Sequence, residues 1–429
     1  MKSVSLQNLQ KMGKIFYLLF LRLYPFIATL ISPFNPKAKK WVAGRKDILL
    51  KIKDALHNDD SKKIWMHCSS LGEFEQGRPL LEKLRKEYPA YKTVVSFFSP
   101  SGYEVQKNYT GADHVFYLPM DSKKNAAAWY GLINPACVLF VKYEFWNYYL
   151  QEARKRKIPL MLISGIFRES QPFFSWYGKF YRDMLKCFSH LFIQDENSAK
   201  LLESINIKNF TTCGDTRFDR VINMEKNHRN SPGIENFCGK SITIVAGSTW
   251  LEDDEELNHF VNKKMDMRFI IAPHDIGPDR IKECMTLYKN AILYAEFVKD
   301  FYLPPGINTL IIDNIGMLKR LYGFATISFV GGGFGGDGVH NVLEPAVYGR
   351  PVLFGPVFEK FPEAENLVLS GGAFSVIDAI ELEEKLGELL SDEALYKTTC
   401  DKAREFIESH AGATEQILAY FKEKRLLTN

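Results

Sequence analysis

The chain has 429 residues, 46% of them hydrophobic and 25% charged, which is too long for one ordinary domain and apolar enough to bury full cores. Its seven cysteines are odd in number, scattered and without a CxxC pair, which argues against a disulfide framework or a zinc site and for a reducing compartment. The net charge of +4 hides an asymmetry: residues 1–63 carry eleven Lys and two Arg against four Asp, a net +9, so the remainder carries −5.

The basic N-terminus contains "IFYLLFLRLYPFIATLI" (15–31), apolar except for Arg22 and a few weakly polar residues. It lies near the lower limit of about 17–25 residues for a bilayer span. No small-residue cleavage site follows it, which argues against a signal peptide. A buried core helix is the plain alternative. Membrane attachment, spanning or lying in the interface, is the reading preferred here. Arg22 and Pro25 weaken a full span, because a charge at the bilayer centre costs a few kcal/mol unless it snorkels. The lysines of "NPKAKKWVAGRK" would then face anionic head groups, each worth on the order of 1 kcal/mol.

Beyond residue 60, short β-rich runs alternate with stretches of helical spacing. The runs are "KIWMHC", "TVVSFF", "CVLFVK", "LMLIS" and "HLFIQD", then "ITIVAG", "RFIIAP", "TLIIDN", "TISFVGG" and "PVLFG". This rhythm predicts parallel sheets with crossover helices. The polar connector at 223–240 separates two sets of about equal size. The expected organisation is an anchor or interfacial helix over 1–40, a doubly wound Rossmann-like domain over 41–222, a linker over 223–240, and a second such domain over 241–429, whose last helix can pack back on the first.

In open parallel sheets, ligands bind beyond the carboxyl ends of the strands. In the first half those ends carry Ser69-Ser70-Leu71-Gly72-Glu73, Ser99-Pro100-Ser101-Gly102, Tyr143-Glu144-Phe145-Trp146 and Ser164-Gly165. In the second they carry Gly247-Ser248-Thr249, Pro273-His274-Asp275, a glycine loop and Gly355-Pro356. If both domains point these ends at one another, they enclose a single central cleft.

The glycine loop is "FVGGGFGGDGVHNVLEPAVYGRPVLFGP" (329–356). Gly331, Gly333 and Gly336 match G-x-G-x-x-G after a strand, a weak dinucleotide signal on its own. A dehydrogenase is disfavoured because Asp337 and Gly338 prolong the loop, and little chain remains to complete a sheet. A nucleotide-sugar loop fits better: Gly331, Gly332 and Gly333 would let backbone N–H groups approach a phosphate, with a helix starting near Asn341 turning its positive end toward it. Glu344 could accept from both ribose hydroxyls, although Asn341 with Glu344 also reads as a capping box. His340 and Glu344 make no metal site by themselves.

"HCSSLGEFEQGRPLLEKL" (67–84), "KYEFWNYYL" (142–150), "AGSTWLEDDEE" (246–256) and "DGVHNVLEPAVYGRPVLFGP" (337–356) together resemble the 3-deoxy-D-manno-octulosonic acid (Kdo) transferases of lipid A and lipopolysaccharide assembly. The basic "GRK" at 44–46 is similar too, so the motifs run in order over nearly the whole chain. The resemblance implies an α/β enzyme of GT-B type, with two Rossmann-like domains facing a central cleft. It also implies inverting, metal-independent transfer from CMP-Kdo to the lipid A precursor at the cytoplasmic face of the inner membrane, with no resident cofactor and no nucleic-acid partner.

Carried over position by position, Glu73 would be the general base and Glu144 a supporting carboxylate. Ser248, Thr249, His274, Gly331, Gly332, Gly333, His340, Asn341 and Glu344 would line the CMP-Kdo site. A first-turn acid favouring the helix dipole is the plain alternative for Glu73. One departure is that "APHD" (272–275) lacks the arginine the family commonly places before the histidine, for which His274, Arg280 or the glycine loop would have to compensate. On the acceptor side, "SGIFRESQPFFSWYGKFYRDML" (164–185) mixes aromatics with Arg168, Lys179 and Arg182. It suits either a membrane-touching surface, with Trp176, Arg45 and Lys46, or an aromatic stripe packed into a core. The rival functions are another GT-B envelope glycosyltransferase and a non-catalytic, membrane-bound nucleotide-sugar-binding protein.

Overall fold

The computed structural model describes residues 6–226 and 233–428, with side chains from Gly13 onward. Residues 227–232 of the connector lie outside the described residues. The chain divides into two compact units, one formed by Met1–Arg220 with Ala411–Asn429, the other by Val221–His410.

The first unit holds β1 (Lys63–Cys68), β2 (Lys92–Phe97), β3 (His114–Tyr117), β4 (Pro135–Val141), β5 (Leu160–Gly165), β6 (His190–Ile193) and β7 (Phe210–Thr212). They pair in parallel in the order β3-β2-β1-β4-β5-β6-β7. Because side chains alternate along a strand, β1 feeds two cores. Trp65 enters a cluster with Trp129, Phe140 and Tyr149 on one face. Ile64, Met66 and Cys68 enter the other, with Phe74, Leu80, Phe97 and residues of the C-terminal helix Ala413–Glu423.

That last helix is fixed by Asp219, whose carboxylate accepts from the N–H groups of Gly412 at 2.6 Å and Thr414 at 2.7 Å. It satisfies donors that a helix N-terminus leaves open.

The second unit holds β8 (Thr243–Thr249), β9 (Arg268–Pro273), β10 (Ala291–Leu293), β11 (Thr309–Ile311), β12 (Ile327–Val330), β13 (Val352–Phe354) and β14 (Ala373–Ser375). These pair in parallel as β10-β11-β9-β8-β12-β13-β14. Each sheet reverses its winding direction once, between β1 and β4 in the first unit and between β8 and β12 in the second. Such switch points open a crevice at the carboxyl ends of the two strands.

Before the first sheet lie a helix over Leu6–Ile31, with Pro25 inside it, and a second over Pro36–Arg45, capped by Asn35 Oδ1 accepting from Ala38 N–H at 3.0 Å. Gly13–Ile31 is long and apolar enough to cross a membrane by length and composition. Only one stripe of it is covered: Tyr17, Leu21, Pro25 and Ala28 are at least half-buried, whereas Phe26 and Leu30 are each 65% exposed. The core-helix alternative therefore does not describe this segment.

Candidate active site

The first switch point gathers the two carboxylates. Glu73 follows β1 in the first turn of the helix Leu71–Glu87, where its Oε2 accepts from the N–H groups of Ser69 and, at 3.1 Å, Ser70. The first-turn role weighed as the plain alternative is thus real, and it is served by one oxygen. Burial, then the charge of Glu144, pushes the Glu73 carboxyl up to about 8, against the opposing pull of those N–H groups and of Lys142.

Glu144 follows β4 and is buried. Its Oε2 accepts from His67 Nε2 at 2.8 Å and from the Trp146 indole N–H at 2.5 Å. His67 is the residue sequence reasoning left without a role. Its Nδ1 lies 2.9 Å from Ser96 Oγ, and that hydroxyl accepts from the Trp65 indole at 2.7 Å. An indole N–H can only donate, so Trp65 donates to Ser96 Oγ, and the Trp146 indole, besides donating to Glu144, lies 3.1 Å from His67 Nε2, while His67 Nδ1 also lies 3.1 Å from Ser96 O. A fully satisfied buried chain of this kind fixes side chains in place. The available signal was the histidine near the end of a wholly buried strand, where a polar side chain has to find partners.

The second switch point gathers most of the expected donor-site residues. Ser248 and Thr249 end β8, Ser248 at a φ of +56° and Thr249 fully buried. Exposed His274 stacks on His340, ring centroids 4.5 Å apart, and Trp250 lies against both imidazoles, its ring centroid 4.5 Å from that of His274 and 6.4 Å from that of His340. Trp250 donates to His340 Nε2 at 3.0 Å, so Nδ1 carries the proton of the neutral ring. Burial, then His274, holds the His340 imidazole down at about 4.

The glycine loop answers to backbone packing. A Cβ at Gly331 would lie 2.4 Å from Ser248 O, and one at Gly333 2.5 Å from Gly355 N. The N–H of Gly331 is taken by Gly247 O at 2.9 Å and that of Gly332 by Asp253 Oδ2 at 2.7 Å. Asp253, unremarked in the sequence, also accepts from Trp250 N–H at 2.8 Å, tying the loop after β12 to the helix after β8. The helix expected from Asn341 is the single turn Leu343–Ala346, and Asn341 Oδ1 accepts from Leu343 N–H at 3.2 Å. So short a helix has little dipole to offer an anion, because its few aligned peptide units sum to a small moment.

Arg280 does not stand in for the arginine missing beside His274. It is buried and paired with Asp254, which also accepts from the Tyr288 hydroxyl at 2.8 Å.

On the expected acceptor side the residues separate. The Arg45 guanidinium is internal: it donates to Leu118 O at 3.0 Å, Phe98 O at 2.7 Å and Trp41 O at 3.3 Å, and its carbon lies 4.1 Å from the Trp41 ring centroid. Its charge is spent on those carbonyls and rings, which leaves no free fork for a phosphate. Lys46, Arg168, Lys179 and Trp176 are exposed. The aromatic stretch divides between the two readings offered for it, Phe173 being buried in the core and Trp176 standing out, 62% exposed.

Two doubly wound parallel units of this kind define the GT-B architecture. Solved structures agree: the UDP-GlcNAc 2-epimerase of Neisseria meningitidis matches with a TM-score of 0.62 at 16% identity, over 84% of this chain and all of that one. MurG of Acinetobacter baumannii matches at 0.52 and 13%, over 84% and 99%.

Residues 45–220 match the family described as 3-Deoxy-D-manno-octulosonic-acid transferase (kdotransferase). A 3-deoxy-D-manno-octulosonic acid transferase of Aquifex aeolicus is 27% identical, over 80% of this chain and 90% of that protein. A transferase of the same name from Rickettsia felis is 26% identical, over 83% and 78%. A bifunctional glycosyltransferase/methyltransferase of Fusobacterium nucleatum is 26% identical over 93% of this chain, which spans 60% of that longer protein. The resemblance read from the sequence is thereby borne out: residues 45–220 match the Kdo transferase family, and most of the chain is similar to the Kdo transferases of Aquifex aeolicus and Rickettsia felis.

Proposed function

We propose that the chain transfers Kdo from CMP-Kdo to a hydroxyl of the lipid A precursor, with inversion and without a metal, on the cytoplasmic side of the inner membrane. The observation that carries the reading is the pair of carboxylates at the β1/β4 switch point, one of them with raised proton affinity. A general base works best when its proton affinity lies near the operating pH. With Oε2 of Glu73 committed to the Ser69 and Ser70 amides, Oε1 takes the proton of the acceptor hydroxyl. The hydroxyl oxygen bonds to the anomeric carbon as the bond to the phosphate oxygen breaks, and CMP leaves with that electron pair. Glu144, held by His67 and Trp146, is the supporting carboxylate beside Glu73 and the oxocarbenium-like centre. In the second unit, the rings of His274 and His340 and the loop pinned by Asp253 form the donor side. The exposed apolar face of the N-terminal helix, with Lys46 beyond it, would meet the bilayer.

Purified protein, lipid A precursor and freshly generated CMP-Kdo, with Glu73→Gln run in parallel, test the proposal by product mass. A Kdo-sized increase that the variant lacks supports donor and base together. No increase with folded protein defeats the Kdo assignment and favours another nucleotide sugar. Donor binding without transfer, unaltered in Glu73→Gln, favours a non-catalytic binding protein.

A further inference from the structure

The N-terminal helix is joined to the carboxylate site by hydrogen bonds as well as by apolar packing. The helix Asn147–Lys155 begins directly after Glu144-Phe145-Trp146, and its first three N–H groups need partners. Its N-cap residue, Trp146, supplies none from its side chain. Buried Asp121 accepts from Tyr148 N–H at 3.0 Å and from Tyr149 N–H at 3.2 Å. The third donor, Asn147 N–H, goes to the hydroxyl of Tyr17 at 3.0 Å, and that hydroxyl donates in turn to Asp121. A residue of the apolar helix thus completes the cap of the helix behind Glu144.

A second contact lies alongside. Phe20 stacks on Trp146 with ring centroids 6.4 Å apart and Phe98 packs on the same indole at 4.6 Å. The indole N–H of Trp146 is one of the two donors that hold Glu144. Tyr17 and Phe20 are three residues apart and fall on one side of their helix. The opposite side, with Leu19, Phe26 and Leu30, is exposed.

We propose that Tyr17 and Phe20 are positioning residues for Glu144, so that the helix read as the membrane anchor is also a brace of the active site. The consequence for catalysis rests on the reading of Glu144 given above; the brace itself does not. Loss of the Tyr17 hydroxyl leaves a buried N–H without an acceptor and Asp121 short of a donor. The 144–147 segment then loosens, and Glu144 with it.

The test uses the full chain in detergent micelles, where membrane affinity does not limit turnover. Tyr17→Phe keeps the ring and removes only the hydroxyl. Hydrogen exchange at Asn147, Tyr148 and Tyr149 should speed up by about tenfold or more, since a lost cap lowers the cost of local opening. Transfer should fall about tenfold in kcat, with the KM for CMP-Kdo and the binding of anionic vesicles unchanged. The paired variant Phe26→Ser/Leu30→Ser, on the exposed side, should do the reverse, weakening vesicle binding and sparing kcat in detergent.

Where Tyr17→Phe fails to fold, Phe20→Leu carries the same kcat and exchange expectations through Trp146. Unchanged exchange together with unchanged kcat overturns the brace and leaves the helix a tether alone. Faster exchange in Tyr17→Phe, where the wild-type protein itself transfers no Kdo, keeps the brace and defeats the Kdo reading instead.

Discussion

Replacing Glu144 by Gln should move the acid limb of the pH–rate profile downward. Glu73 sits at about 8 because of burial first and the Glu144 charge second. A base at that value is about 10% ionised at pH 7 and about 1% at pH 6, so wild-type turnover should climb close to tenfold per unit and level off above pH 8. The other groups acting on it are Lys142, which lowers it, and the backbone N–H donors of Ser69 and Ser70, which the substitution leaves in place. At an effective dielectric of about 20, a unit charge roughly 6–12 Å away accounts for about one to two pKa units. Glu144→Gln should therefore bring the limb down to about pH 6–7 while burial keeps it above the ordinary carboxylate range. The plateau should fall as well, since Gln cannot stabilise the cationic transition state. The assay is initial-rate product mass from pH 5.5 to 9 at saturating CMP-Kdo, with circular dichroism at each pH. An acid limb that stays near pH 8, or moves upward, would refute the coupling of the two carboxylates.

Further outcomes follow from the same contacts. Because the folded-state proton affinity of Glu73 is raised, the folded chain binds more protons than the unfolded chain between about pH 4.5 and 8, and stability falls as pH rises through that window. Glu73→Gln, which can still accept from the Ser69 and Ser70 amides, should flatten this part of the stability–pH curve in urea titrations while abolishing transfer. Asp219→Ala removes both caps of the C-terminal helix and should cost about 1–2 kcal/mol, measured as a lower Tm by calorimetry. Gly331→Ala puts a Cβ 2.4 Å from Ser248 O, between two strands that cannot separate. It should cost about 1–3 kcal/mol and raise the KM for the donor well before it affects kcat.

Ten of the fourteen strands are legible as apolar runs; β1 and β9 coincide with "KIWMHC" and "RFIIAP" to the residue. The four without a run are β3, β7, β10 and β14, which are the four sheet edges. Each has only three or four residues, most of them half-buried, so neither burial nor length writes a continuous apolar stretch into the sequence. Glu73 and Glu144 were legible because both follow long central strands. His67 was not, because its role depends on both neighbouring strands, β2, which supplies Ser96, and β4, which leads to Glu144. The glycines were legible as a loop, but the backbone packing around them was not. Adjacent backbones, which a one-dimensional pattern does not display, exclude a Cβ at Gly331 and Gly333. Arg45 shows the same limit, since a basic residue near an apolar segment reads as surface until its three carbonyl partners are seen.

The return of residues 411–429 to the first unit bears on how this protein is made. Ala413, Ile417, Leu418, Phe421 and Leu427 complete the core around Met66, Phe74 and Phe97. During synthesis that core stays open until residues 411–429 leave the ribosome, some two hundred residues after the rest of the first unit has emerged, while the second unit already has all of its sequence. The order of maturation is thereby inverted, with the later-made unit free to finish first. A fragment ending at residue 220 should behave as a sticky, chaperone-dependent species, and supplying residues 411–429 as a separate peptide should restore it.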